Sequence, residues 1–219
     1  MNYFVTGTDT HVGKTLISCA LLHGFAAQDK RVVGMKPIAA GCNNDGQNED
    51  VLQLRAASNV RVSYELTNPY GFLPAIAPHL AAQQAGIEIQ LPRIIEAYQK
   101  LAAQADVVIV EGVGGLCVPL NAQQDSADML KALGLPVILV VGMRLGCLNH
   151  ALLTVEAINA RDLSLAGWVA NAIEENMPHW EENIAALQQR IAAPLLGIVP
   201  YLPHPDARVA IRQLDLDCL

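Results

Sequence analysis

The chain is poor in charge, and poorest in positive charge. Only 16% of its 219 residues are Asp, Glu, Lys or Arg, and 14 basic residues face 21 acidic ones, a formal net charge of −7. A broad basic face is therefore excluded, and with it an expectation of nucleic-acid binding. The few lysines must serve locally. Cysteine is also sparse: Cys19, Cys42, Cys117, Cys147 and Cys218 are odd in number, scattered, and form no CxxC pair. That spacing argues against a disulfide framework or a zinc site and reads as free thiols in a reducing cytoplasm. The six histidines show no ligand spacing either. The longest charge-free strand-like run, residues 132–143, falls well short of the roughly 20 residues a membrane-spanning helix needs. No basic segment precedes an apolar one at the start, where Tyr3-Phe4-Val5 already reads as a strand, so no signal peptide is expected. Repeats, low-complexity tracts and linkers are absent, and the chain reads as one domain over residues 1–219.

Apolar residues, by contrast, make up 52% of the chain. This is enough for a sizeable core and suits a sheet buried on both faces, whose strands appear as unbroken apolar runs. Such runs lie at residues 2–6, 31–36, 106–111, 136–141, 165–170 and 195–199. Helical patterns alternate with them at 14–28, 50–57, 92–104, 125–133, 149–160 and 179–192. The alternation predicts an α/β fold, a mostly parallel sheet with helices on both faces. Several runs end in glycine, at the carboxyl edge where open α/β sheets bind ligands. The polar stretch 41–49 reads as a mobile surface loop. Residues 68–92, interrupted by four prolines, read as irregular with a short helix near 78–85.

The strongest motif follows the first strand: Gly7-Thr8-Asp9-Thr10-His11-Val12-Gly13-Lys14-Thr15. A strand, a glycine-bounded loop and Gly-Lys-Thr opening a helix describe a P-loop. Glycines let backbone N–H groups face phosphate oxygens, and the helix N-terminus adds positive potential. Lys14 can reach the β- and γ-phosphates of ATP, and the Thr15 hydroxyl can ligate magnesium. Five residues separate Gly7 from Gly13, one more than the usual pattern. Glu111 ends an apolar strand before Gly112-Val113-Gly114-Gly115, where a carboxylate needs a partner such as a metal. Asp50 opens a helix after the polar loop and reads either as its N-cap or as a second metal ligand. Lys36 closes the second strand at the same sheet edge and reads as catalytic.

These pieces together resemble one family, dethiobiotin synthetase. The likeness lies in Tyr-Phe-Val-Thr-Gly-Thr-Asp-Thr at 3–10, Lys-Pro-Ile-Ala-Ala-Gly at 36–41, Val-Glu-Gly-Val-Gly-Gly at 110–115 and Pro-Val-Ile-Leu-Val-Val-Gly at 136–142. Leu-Gly-Cys-Leu-Asn-His-Ala at 145–151 and Ala-Gly-Trp-Val-Ala-Asn at 166–171 extend it. The longer P-loop is also that family's form. The resemblance implies an ATP- and magnesium-dependent ligase that joins CO2 to 7,8-diaminopelargonic acid through a carbamate and a mixed anhydride. It implies catalytic roles for Lys14, Lys36 and Thr10, and magnesium on Thr15, Asp50 and Glu111. The nucleotide would lie along His11, Val12, Gly13, Lys14, Thr15 and Leu16, with Asp50, Glu111, Gly112, Val113 and Gly114. Its base and ribose would meet Asn171, Ala172, Pro200, Tyr201, Leu202 and Asp206. Substrate would contact Lys36 and Ala40, and the turn Gly146, Cys147, Leu148 and Asn149 of a neighbouring subunit would receive its carboxylate tail, making the working unit a homodimer. Two positions depart from the family pattern: His11 stands where glutamate is frequent, and Ala40 where a small hydroxyl residue is frequent. The rival reading is a P-loop nucleotide switch, a partitioning or maturation ATPase. Against it, the stretch Gly7-Thr8-Asp9 carries no early second lysine.

Overall fold

The computed structural model describes all 219 residues. The chain runs β1 (Asn2–Gly7), α1 (Lys14–Ala26), β2 (Val32–Met35), β3 (Ile38–Ala40), α2 (Glu49–Ala57), α3 (Tyr64–Thr67), β4 (Tyr70–Phe72), α4 (Pro78–Gln84) and α5 (Leu91–Ala102). It continues with β5 (Val107–Glu111), α6 (Ser126–Leu133), β6 (Val137–Met143), α7 (Cys147–Ala160), β7 (Leu165–Ala172), α8 (Trp180–Gln188), β8 (Leu195–Val199) and α9 (Ala207–Ala210). Six strands form one parallel sheet in the order β2-β5-β1-β6-β7-β8.

The unbroken apolar runs have the predicted cause. Successive side chains leave opposite faces of a strand, and here both faces are covered. Phe4, Val108, Val110 and Val137 pack on one face with Ile94 of α5 and Leu130 of α6. Their neighbours Tyr3, Val5, Val107, Ile109 and Ile138 pack on the other with Ile17, Leu21 and Leu22 of α1. Farther along the first face, Leu139, Val141 and Trp168 meet Ala151 of α7 and Ile184 and Leu187 of α8.

β1 lies between β5 and β6; its own connection runs to β2 on one side, whereas the chain after β5 crosses to β6 on the other. The crevice outside its carboxyl end is the switch point at which such folds bind ligands. The ends of β1, β5 and β6 (Gly7, Glu111 and Met143) all open there.

Three expectations need correction. A second, two-stranded parallel sheet, β3-β4, was not visible in the sequence. Its strands have three residues each and two alanines or a glycine among them, too little to set a period. The stretch 68–92 accordingly contains β4 as well as α4. The polar segment 41–49 is a largely exposed loop, as its composition suggests, and it turns on itself: Asn43 N donates to the Gln47 carbonyl at 2.8 Å, and Asn43 Oδ1 accepts from Asp45 N and Gln47 N. Asp50 does not cap α2. Asn48 does, accepting from Asp50 N and Val51 N, which leaves the Asp50 carboxylate free for another partner.

Candidate active site

The P-loop joins β1 to α1 and is held by packing that only small residues allow. A Cβ on Gly7 would meet Val12 Cγ2 at 2.6 Å, and one on Gly142 of β6 would meet the other methyl group, Cγ1, at 2.6 Å. Val12 is thus wedged between two glycines, fully buried, and only its backbone can serve a ligand. Gly13, at φ 92°, caps α1 in the left-handed region, and any Cβ there would run into the Asn171 amide. Asn171 Nδ2 donates to the Val12 carbonyl at 2.8 Å, tying the loop to β7. Asn171 Oδ1 is buried with no partner, leaving an acceptor available.

Five chemically active side chains converge behind this loop. Lys36, buried just past β2, donates to Asp50 Oδ2 at 2.7 Å and to Glu111 Oε1 at 2.5 Å. Thr15 Oγ1 donates to the same Glu111 oxygen at 2.9 Å. Burial opposes the Lys36 charge, but Glu111 and then Asp50 outweigh it, and its pKa lies above the ordinary lysine value. Burial likewise pushes Asp50 up, but the Lys36 charge and hydrogen bonds win and hold it down. Lys14 donates to the Asp9 carbonyl of its own loop at 2.8 Å. Its pKa is lowered to about 8, chiefly by burial; the attraction of Glu111 only partly offsets this, and the Lys36 charge adds to the lowering.

The residues line a cleft of about 840 Å³ together with Asp9, Thr10, His11, Gly13, Ala40, Val113, Gly114 and, on the far wall, Ala75, Ile76, Ala77 and Pro78. The Thr10 hydroxyl faces Gly114 across it. Gly112 sits over Phe4 and donates its N–H to the Val5 carbonyl at 2.9 Å. A second cavity of about 540 Å³ borders Ala172, Glu174, Glu175, Pro200 and Tyr201. Leu16 and Leu202 pack against the core instead. Asp206 caps α9 through Arg208 N at 2.8 Å and lines neither cavity. The turn Gly146, Cys147, Leu148 and Asn149 opens α7 outside the cleft, beside Leu145, whose side chain is 96% exposed.

The donor set fits magnesium. Glu111 Oε2 is buried without a hydrogen-bond partner beside the Thr15 hydroxyl and the Asp50 carboxylate, the oxygen ligands a hard cation takes. No cluster of three His, Cys, Asp or Glu exists, so phosphate and water would complete the shell.

Sequence reading assigned no role to Asp9, Arg144 or the 75–78 wall. Arg144 could have been found, because it follows an apolar strand at the same sheet edge as Glu111. The wall comes from the proline-rich stretch, whose path only tertiary packing sets.

Fold and site together define a P-loop nucleotide-binding enzyme. A family model described as "AAA domain" matches residues 1–208. Among solved structures, the septum site-determining protein MinD of Pyrococcus horikoshii, complexed with Mg-ADP, aligns over 93% of this chain and 83% of its own at 17% identity, TM-score 0.54. The cell-division protein FtsY of Thermotoga maritima aligns over 100% and 66% at 15% identity, TM-score 0.56. Those likenesses are of fold. Two curated relatives, from Nitrosospira multiformis and Aromatoleum aromaticum, are named ATP-dependent dethiobiotin synthetase. They are 58% and 54% identical over 98% of this chain, covering 94% and 96% of their own lengths. The chain belongs to the ATP-dependent dethiobiotin synthetase family.

Proposed function

We propose that this chain, acting over residues 1–219 as one ligase domain, forms dethiobiotin from 7,8-diaminopelargonic acid, CO2 and ATP. One amine takes up CO2 and loses a proton, giving a carbamate. A carbamate oxygen attacks the γ-phosphorus, the bond to the ADP oxygen breaks, and ADP leaves. The second amine then attacks the carbonyl carbon of the mixed anhydride and loses its proton. The C–O bond to phosphate breaks, and the ureido ring closes.

The observation that carries this reading is the convergence of Lys14, Lys36, Thr15, Asp50 and Glu111 at the carboxyl ends of β1, β2 and β5. Phosphoryl transfer asks a protein mainly for positioning and charge neutralisation. Lys14 would hold the β- and γ-phosphates, and Lys36 the carbamate and the transferring group. Thr10, across from Gly114, would help hold the reacting groups, with Ala40 beside the substrate. Thr15, Asp50 and Glu111 would hold magnesium, which supplies positive charge to the phosphate oxygens when bound. Asn171 Oδ1 suits a base amino group, with Ala172, Pro200 and Tyr201 alongside. The test is mass detection of dethiobiotin from protein, ATP, magnesium, bicarbonate and diaminopelargonate. ADP release that ignores diaminopelargonate and bicarbonate would point to a nucleotide switch instead.

Glu111→Gln and Asp50→Asn are each expected to raise the magnesium concentration for half-maximal activity by about tenfold or more, on the scale of perturbing one metal-binding group. Magnesium titrations that overlay the unmodified enzyme would remove that residue from the metal shell.

The Gly146–Asn149 turn lies outside its own chain's cleft, which supports its service to a neighbouring subunit in a two-fold dimer. Its left-handed Gly146 and the N-terminus of α7 offer a carboxylate seat. Mixing a Lys14→Ala chain with one disrupted in this turn, each inactive alone, is expected to restore part of the activity. Mixed dimers without recovery would mean that each chain carries a complete site. No helix is long and apolar enough to cross a membrane, and all five cysteines are free thiols, which supports a cytoplasmic enzyme.

A further inference from the structure

The cleft that must accept a triphosphate is lined by three carboxylates, Asp9, Asp50 and Glu111, and only two ammonium groups, Lys14 and Lys36. Asp50 and Glu111 share Lys36 and would share a metal. Asp9 has neither use, yet it sits within the phosphate loop itself.

Its place there has a structural cause. Asp9 Oδ1 accepts from Thr10 N at 2.7 Å, shaping the turn, and its main-chain carbonyl holds Lys14 Nζ. The cost is a negative charge facing a polyanion. The carboxylate is ionised, held below its usual range first by the Thr10 N–H and also by Arg144.

Arg144 meets that charge from behind. It follows β6, and its carbonyl accepts from Cys147 N at 3.0 Å in the first turn of α7, which fixes the base of its side chain. Its Nη2 donates to Asp9 Oδ2 at 2.6 Å. The other ties between the loop and β6 are neutral: Thr8 N to the Val140 carbonyl, Gly142 N to Thr8 Oγ1, and Val12 against Gly142. Arg144 does not line the cleft itself.

We propose that Arg144 is a positioning residue for nucleotide binding: it neutralises and fixes Asp9, so that a loop shaped by a carboxylate can still receive phosphate. This rests on the ligase reading for its substrate, but its central test needs only ADP.

Arg144→Met is expected to weaken ADP binding, measured by calorimetry, and to raise KM for ATP, each by about tenfold, the scale of one uncompensated like charge acting on the phosphates near a protein surface. The kcat at saturating ATP should stay close to that of the unmodified chain. Exposed ion pairs add little to stability, and this one is 37% and 45% exposed at its two side chains, so the melting temperature should barely move. Arg144→Lys should bind ADP nearly normally. The decisive variant is the double one: Asp9→Asn with Arg144→Met removes both charges, keeps an acceptor for Thr10 N, and should recover most of the lost affinity. A merely structural pair would instead lower the melting temperature and kcat, with no recovery in the double variant. ADP binding by Arg144→Met that matches the unmodified chain, or a double variant as weak as the single, overturns the proposal. Should Arg144→Met fail to fold, Arg144→Gln carries the same comparison. Failure of the unmodified chain to make dethiobiotin would sink the ligase reading and leave the ADP comparison standing.

Discussion

Lys14→Ala is expected to lower kcat/KM for dethiobiotin formation by about a thousandfold, the scale of removing one preorganised charge from a phosphoryl-transfer site. The fold should survive, because Lys14 works against stability in the resting chain. Its shift from 10.5 to about 8 means that the buried ammonium costs about 3 kcal/mol relative to the unfolded chain. The sign follows from linkage. Between about pH 8 and 10.5 the unfolded lysine holds its proton and the folded one has released it, so this residue's contribution to stability improves as pH rises. At pH 7 the alanine variant is relieved of the whole cost, and urea unfolding should show it about as stable as the unmodified chain despite the lost Lys14–Asp9 hydrogen bond. That advantage should shrink by pH 10. Near-normal product formation by the folded variant would remove Lys14 from the phosphate site. A stability difference between the two chains that stays constant from pH 7 to pH 10, or moves in favour of the alanine variant, would contradict the burial argument.

Lys36→Gln should behave in the opposite way. Lys36 is the partner of a fully buried Glu111 side chain and of a partly exposed Asp50. Breaking such a pair leaves buried negative charge uncompensated, and a loss of about 3 kcal/mol is expected. ATP binding should persist, since Lys14 and the loop N–H groups remain. Product formation should fall by about a hundredfold or more, because the proposed charge on the carbamate and transferring phosphate is gone. Denaturant unfolding, ATP calorimetry and product assay report these three effects separately. Normal product formation would make Lys36 a structural counter-ion only, and unchanged stability would mean that the carboxylates find other compensation.

The contrast between the two lysines shows what could be read in advance. Both were visible as lysines at one sheet edge, Lys14 through Gly-Lys-Thr opening a helix and Lys36 because a charge closing an apolar run is conspicuous in a chain with so little charge. Neither the energetic burden on Lys14 nor the carboxylates that hold Lys36 could be read, since Glu111 lies 75 positions from Lys36 along the chain and 2.5 Å away in space. The same holds for Asn171, a plausible base contact by position whose Nδ2 is in fact spent on the P-loop. Nor could the sequence show that the half-buried Leu16 and Leu202 side chains pack against the core.

The sequence by itself determined the six-stranded sheet, since unbroken apolar runs between helices are the mark of strands buried on both faces. It also determined the phosphate loop, since Gly-Lys-Thr after a strand is a local construction whose geometry comes from adjacent residues. The tertiary structure alone decided the short β3-β4 sheet, too brief to carry a period. It decided that Asn48 and not Asp50 caps α2, which leaves the aspartate for Lys36. And it decided the pairing of Asp9 with Arg144, residues 135 apart in the chain that follow two strands adjacent in the sheet.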